Sequence, residues 1–133
     1  MTSTGKINSP FVIHKAKDNP FKSGGLRNYR EYRDFGFSEA TGGKFHAHII
    51  RTTAPAPEGG SGLHYHDLDF QMVYCLKGKS RVWFEGQGEV EIEAGDSWIQ
   101  PPAIRHNVLW YSEDYELLEI TLPAEYPTIQ VEE

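Results

Sequence analysis

The sequence has a single cysteine, Cys75, so an intramolecular disulfide is impossible and a reducing, cytoplasmic location is expected. An excess of positive charge is also missing, because 13 lysines and arginines stand against 19 aspartates and glutamates, for a formal net charge of −6 at pH 7. Nucleic acid is therefore not an expected partner, since phosphate binding relies on a basic surface. No apolar run approaches the roughly 18 residues of a membrane span, and residues 1–10 lack the apolar core of a signal peptide. These absences argue against a membrane protein.

Helical periodicity is absent as well. No segment of a dozen residues repeats its apolar positions every 3.6 residues between capping residues. Short segments rich in β-branched and aromatic residues instead alternate with turns that contain glycine and proline. Short strands at close, regular spacing are typical of an all-β sandwich or barrel. The predicted strands cover residues 44–53, 69–76, 80–85, 89–93, 97–100, 104–111 and 115–122.

The length of 133 residues fits one domain. We predict an N-terminal extension with edge strands at residues 1–40, a barrel at residues 41–125 and a C-terminal tail at residues 126–133. Residues 1–40 could supply an edge strand that is exchanged with a second copy of the chain.

Four of the six histidines form two pairs with one intervening residue, namely His46 with His48 and His64 with His66. On a strand, residues i and i+2 share a face, so either pair can bind one ion. The sequence downstream separates the pairs. No glutamate or glutamine followed by glycine comes after His46 and His48 at a matching distance, so we predict a structural or pocket role for them.

The second pair has a different context. Five residues after His66 comes Gln71, and a turn at residues 67–69 lets Gln71 return on a neighbouring strand with its side chain toward the same interior. A third imidazole, His106, follows a further turn and strand. The candidate metal ligands are therefore His64, His66, Gln71 and His106.

These residues resemble the first sequence motif of the cupin superfamily, which is H-x-H, three or four residues, Glu, six residues and Gly. Here the pattern is His64-x-His66, four residues, Gln71, six residues and Gly78. Gln71 stands where the motif usually has the ligand glutamate.

The second cupin motif is Gly, five residues, Pro-x-Gly, two residues, His, three residues and Asn. The similar segment here has Gly95, Pro101, Ala103, His106 and Trp110 at these positions. Alanine and tryptophan thus replace the usual glycine and asparagine.

The resemblance implies an all-β fold, a cupin-type double-stranded β-helix (jelly-roll) barrel, with one divalent transition metal held by the four candidate ligands. Cupins that keep three histidines and one glutamine include proteins resembling polyketide cyclases and proteins that open unsaturated uronate sugars. Three imidazoles and an amide leave the ion's charge uncompensated, so the ion favours an anionic or carbonyl ligand. Zn, Mn, Fe, Co and Ni all suit these donors.

Inside such a barrel, alternation predicts four pocket residues around the ion. Val73 and Cys75 share the face of the glutamine ligand, and Val108 and Trp110 share the face of the third histidine. Glu119 on the last predicted strand is the candidate proton carrier, although alternation does not decide which way it faces.

The function that follows is a metal-dependent enzyme acting on a small anionic or carbonyl-bearing molecule, by isomerase, lyase, cyclase or dioxygenase chemistry. The alternatives are a non-catalytic cupin that binds a small ligand as a sensor or binding module, and a degenerate barrel with a structural role.

Overall fold

The computed structural model describes residues 7–23 and 29–132. In these residues the chain forms two antiparallel sheets, one short helix, α1 (Phe37–Ala40), and one 3₁₀ turn (Ala16–Asp18). None of the described helices is long and apolar enough to cross a membrane. The strands are β1 (Lys22–Ser23), β2 (Arg30–Asp34), β3 (His46–Thr52), β4 (His64–His66), β5 (Phe70–Lys77), β6 (Lys79–Phe84), β7 (Gly88–Glu93), β8 (Ser97–Ile99), β9 (His106–Tyr111), β10 (Glu116–Leu122) and β11 (Thr128–Gln130).

The strand order is that of a jelly roll. One sheet has the order β1-β2-β3-β10-β5-β8, and the other has the order β11-β4-β9-β6-β7. Neighbours such as β3 and β10 are far apart in sequence, so the chain crosses repeatedly between the sheets. The all-β jelly-roll prediction is confirmed, and each of the seven predicted strands coincides with an observed one to within about two residues at either end.

Alternating side chains explain why these segments become strands with one face inward. In β5 the side chains of Gln71, Val73 and Cys75 are buried, whereas those of Tyr74 and Leu76 are exposed. The turn that joins β5 to β6 is built on Gly78, whose φ of +80° favours glycine.

Two bulges interrupt this alternation. The first lies in β9, where it pairs with β6. Val108 lies opposite Val82 and Trp110 lies opposite Arg81, so Leu109 of β9 is an extra residue. The bulge turns Tyr111 inward and leaves Trp110 on the outer face, 47% exposed. A second register shift lies in the pairing of β10 with β5, between Glu116 and Leu117.

The terminal segments form the sheet edges. β1 and β2 extend the six-stranded sheet beyond β3, and β11 pairs with β4. Residues 126–133, expected to be a tail, thus contribute a strand. Part of the predicted extension, residues 1–6 and 24–28, lies outside the described residues, and the domain division stays a prediction.

The hydrophobic core fills the space between the sheets beside a cavity. Tyr111 and Tyr115 stack at 5.7 Å between ring centroids, and Tyr29 stacks on Tyr111 at 6.3 Å. The core cluster comprises Tyr29, Ile50, Val73, Cys75, Val82, Phe84, Ile92, Tyr111, Tyr115 and Leu117.

Candidate metal centre

Three of the four predicted ligands are histidines on two neighbouring strands of the five-stranded sheet. β4 carries His64 and His66, and β9 places His106 directly opposite His64. The ring centroids of His64 and His106 are 4.2 Å apart. The ring centroid of His66 lies 5.1 Å from that of His64 and 5.0 Å from that of His106. One nitrogen from each ring lies within 4.8 Å of the others, so the three residues could hold a single metal ion.

Hydrogen bonds fix which nitrogen each ring offers. Nδ1 of His64 lies 2.6 Å from the carbonyl oxygen two residues earlier, and Nδ1 of His106 lies 3.0 Å from the carbonyl oxygen two residues earlier. A carbonyl oxygen only accepts, so both Nδ1 atoms carry hydrogen and Nε2 holds the lone pair. Nδ1 of His66 bonds to Oγ1 of Thr128 at 2.9 Å. Such outer partners orient histidine ligands toward a metal.

His106 is suited to ligation because it stays neutral. Burial disfavours the imidazolium and, together with the neighbouring His64, lowers the pKa of His106 to about 3. A metal needs the neutral ring, and this environment supplies it without displacing a proton.

Gln71 lies beside these histidines with a defined orientation. Its Nε2 donates to Oε2 of Glu119 at 2.7 Å, and its Oε1 accepts from Nε2 of Gln100 at 3.1 Å. The same Gln100 amide lies 3.2 Å from Nε2 of His106. The carbonyl oxygen of Gln71 and Nε2 of His106 thus both contact the same Gln100 amide.

Glu119 faces inward and is charged. It shares its face of β10 with the buried Leu117 and Thr121, and its side chain is only 14% exposed. Burial alone raises the pKa of this carboxyl, but the hydrogen bond and charge of His48 and the hydrogen bond of Gln71 lower it to about 2. A carboxylate thus lies one hydrogen bond behind a neutral ligand.

The other histidine pair lies on β3, and its second member, His48, lines the same cavity. Nε2 of His48 donates to Oε1 of Glu119 at 2.8 Å, and Nδ1 of His48 lies 2.8 Å from Nε2 of His46. Burial and the proximity of His48 lower the pKa of His46. His48 also stacks on Tyr32 at 5.4 Å, so this pair supports the carboxylate and is separate from the three-histidine cluster.

A cavity of about 310 Å³ contains these groups, which is room for about ten water molecules. Val73 and Val108 line it together with the three histidines, Gln71 and Glu119. Sequence reasoning missed several polar lining residues, because they lie in segments without a clear pattern or next to a turn. They are Arg30, Tyr32, Gln100, Tyr126 and Thr128.

Two of the four predicted pocket residues do not line this cavity. Trp110 does not line the cavity, because the bulge at Leu109 turns it to the outer face. Cys75 does face inward and is fully buried, but it lies in the packed core. Its thiol is directed at the carbonyl oxygen of Lys77, 3.4 Å away, and does not reach the cavity.

The donor set fits a divalent transition metal. Two of the three rings carry hydrogen on Nδ1, one imidazole is held neutral, and the Gln71 amide is held through its Nε2 by a carboxylate. The fold and this site define a small β-barrel with a histidine cluster that could hold a metal inside a ligand-sized cavity.

The sequence matches the family model of the cupin domain over residues 51–121, more than half of the chain, and the protein belongs to the cupin family. The resemblance found in the two motifs is thus confirmed. No curated protein matches the sequence.

Solved structures share the fold at low sequence identity. The polyketide cyclase RemF from Streptomyces resistomycificus is similar with a TM-score of 0.67 and 17% identity, over 92% of this chain and 86% of RemF. KdgF from Halomonas sp. has a TM-score of 0.64 and 16% identity, over 87% of this chain and 96% of KdgF. A predicted oxalate decarboxylase from Thermotoga maritima has a TM-score of 0.65 and 20% identity, over 84% of this chain and 99% of that protein.

Proposed function

We propose that this cupin binds one divalent transition metal through His64, His66, Gln71 and His106. We further propose that it catalyses proton transfer on a small carbonyl-bearing or anionic substrate, in an isomerase, lyase or cyclase reaction. The observation that carries the proposal is the position of Glu119, whose carboxylate lines the same cavity as the three histidines, one hydrogen bond from Gln71. The fold likeness to a polyketide cyclase supports this class of chemistry.

The ion, when bound, would supply positive charge that polarises a substrate carbonyl and acidifies the neighbouring C–H group. Glu119 is unprotonated at neutral pH and would accept that proton. His48 holds one carboxylate oxygen and Gln71 holds the other, so the base is oriented before the substrate enters. Because a carboxylate base lies inside the cavity, we favour proton transfer over dioxygenase chemistry. Zn, Mn, Fe, Co and Ni all remain candidates for the ion.

The first experiment measures metal by mass spectrometry of the purified protein, followed by exchange of the C3 protons of 2-oxoadipate in D₂O by ¹H NMR. We expect about one metal per chain, loss of that metal in His106→Ala, and catalysed exchange by the wild type. Glu119→Gln at saturating metal should slow the exchange by about a hundredfold or more.

A matched control is Glu116→Gln, which changes a carboxylate of the same strand that pairs with Lys77 outside the cavity. Its exchange rate should equal that of the wild type. The proposal fails if the protein carries no stoichiometric transition metal, or if Glu119→Gln exchanges protons as fast as the wild type.

A second candidate function is non-catalytic binding of a small ligand. It is favoured by one observation, namely that both oxygens of Glu119 already accept hydrogen bonds, from His48 and Gln71. A tightly bound molecule that is recovered chemically unchanged after long incubation would support this function over catalysis.

We also propose that the protein acts in the cytoplasm and forms a homodimer through the edge at β1 and β2. Light scattering of the purified protein tests the oligomeric state, and a monomeric mass would contradict the dimer.

A further inference from the structure

A cationic side chain enters the cavity from β2, the second strand of the six-stranded sheet. Arg30 is the first residue of β2, and its side chain lines the same cavity as the three histidines and Glu119. Arg30 pairs with Thr52 at the far end of β3.

The strand register places Arg30 and the histidine cluster at different ends of this cavity. His46 on β3 is level with Thr121 on β10, which is level with Gln71 on β5. Thr52, the partner of Arg30, is six residues further along β3, a strand rise of about 20 Å at about 3.4 Å per residue. The arginine side chain reaches back along part of this distance to line the cavity.

Within the part of the chain that the structure describes, the guanidinium of Arg30 has no carboxylate partner. Its Nε is enclosed from solvent and makes no hydrogen bond, and among residues 7–23 and 29–132 no carboxylate forms an ion pair with it. Its described contact is with the ring of Tyr29, 5.7 Å from the centroid. By contrast, Arg51 on the adjacent strand pairs with Glu31 at 2.8 Å.

The carboxylate inside the cavity does not fill this role. Glu119 is bonded to His48 at 2.8 Å and to Gln71 at 2.7 Å, so its two oxygens are directed toward those residues. A buried N–H donor without an acceptor is unfavourable, and a planar guanidinium is well matched to a carboxylate. Because Arg30 lines the cavity and pairs with no carboxylate of the described residues, its guanidinium is complementary to a carboxylate on a ligand that enters the cavity.

We propose that Arg30 binds a carboxylate of the substrate at the end of the cavity remote from the histidine cluster. The inference rests on the proposed function for the other end, where a carbonyl or enolate oxygen of the same molecule meets the metal. The substrate class is then an extended organic acid, with an oxygen donor at one end and a carboxylate at the other.

A matched pair of probes isolates the second carboxylate. 2-Oxoadipate and 2-oxohexanoate share a 2-oxo acid head and a chain of six carbons, and they differ only in a distal carboxylate against a methyl group. Calorimetric binding to the wild-type protein should favour 2-oxoadipate by at least about tenfold. Arg30→Gln should reduce this preference to within about twofold, while Arg51→Gln, whose guanidinium lies outside the cavity, should retain it.

Equal affinity of the wild type for the two acids overturns the proposal, and so does a preference that survives Arg30→Gln. If Arg30→Gln does not fold, Arg30→Lys decides, because lysine keeps the charge but loses the paired N–H groups. Loss of most of the preference supports the proposal, and an unchanged preference overturns it.

The same titrations separate this inference from the proposed function. Metal content is measured for each variant and should not change on Arg30→Gln. If the wild type carries no metal, both acids lose the binding energy of the 2-oxo acid head that they share. The preference for 2-oxoadipate over 2-oxohexanoate should persist even then, because Arg30 binds the distal carboxylate.

Discussion

Replacing Gln71 with glutamate, the residue that the first cupin motif usually has, should destabilise this protein at neutral pH. Nε2 of Gln71 lies 2.7 Å from Oε2 of Glu119, so Gln71→Glu brings a second carboxylate oxygen to about that separation. Two unit charges at this distance repel by about 6 kcal/mol at an effective dielectric constant of about 20. Protonating one carboxyl at pH 7 costs only about 3–4 kcal/mol, given an ordinary glutamate pKa. Protonation is the smaller penalty, so we expect a loss of about 3–4 kcal/mol.

The assay is urea unfolding of the metal-free protein in EDTA at two pH values. At pH 5 the same protonation costs about 1 kcal/mol, so most of the deficit should disappear. At pH 7 the loss corresponds to a midpoint for thermal unfolding about 10 °C lower. Gln87→Glu, at an exposed turn, is the matched control and should leave the stability unchanged at both pH values.

A double substitution makes the reasoning sharper. In Gln71→Glu with Glu119→Gln, the amide at position 119 can accept from His48 and donate to the carboxylate at position 71, so every hydrogen bond is restored. The double variant should regain most of the lost stability. The reasoning is refuted if the single variant is as stable as the wild type at pH 7, if its deficit does not shrink at pH 5, or if the double variant is no better than the single one.

Three further predictions follow from other residues. In the metal-free protein, burial lowers the pKa of His106 to about 3, so the folded state binds fewer protons than the unfolded state. The neutral ring's contribution to the free energy of unfolding is full above about pH 6.5 and is lost as the pH falls toward 3, by up to about 4 kcal/mol. The urea midpoint of His106→Asn should therefore depend less on pH over that range than the midpoint of the wild type. Gly60→Ala should cost about 3 kcal/mol in thermal unfolding, because its Cβ would lie 2.7 Å from the Val108 carbonyl oxygen at a φ of +90°; Gly59→Ala, with open space around it, should cost only about 1 kcal/mol. Cys75 is fully buried, and burial raises the pKa of its thiol. It should therefore react with iodoacetamide at least about a hundredfold more slowly in the native protein than in urea. Equal rates would contradict its placement in the core.

Spacing and alternation predicted the strands and brought the three histidines together, because both depend on local geometry. The same rule failed at Trp110, since the bulge at Leu109 is a property of the pairing between β9 and β6. The direction of Glu119 depends on how β10 lies between β3 and β5, which the sequence of β10 alone does not contain.

Gln100 and Arg30 were missed for a different reason. Gln100 precedes Pro101 at the end of a short strand, where a polar residue resembles an ordinary turn residue, and only the fold shows that it is 5% exposed beside Gln71. Arg30 lies in the segment with the weakest periodicity. Its direction follows from the pairing of β2 with β3, and β2 has little hydrophobic pattern of its own, since none of its five residues is fully buried.

The pairing of β11 with β4 has a consequence for how the protein is made. β4 carries two of the three histidines but is only three residues long, and it is held by β11 on one side and by the single pair His64 and His106 on the other. β11 lies more than sixty residues after β4, so the ribosome has synthesised every other described strand before it appears. The strand that carries His64 and His66 therefore acquires its second neighbour last, and the cluster can reach its final geometry only after residues 128–130 have left the ribosome. Loading with metal is then expected to follow synthesis, and a C-terminal truncation before Thr128 should abolish it while the histidines themselves remain in the chain.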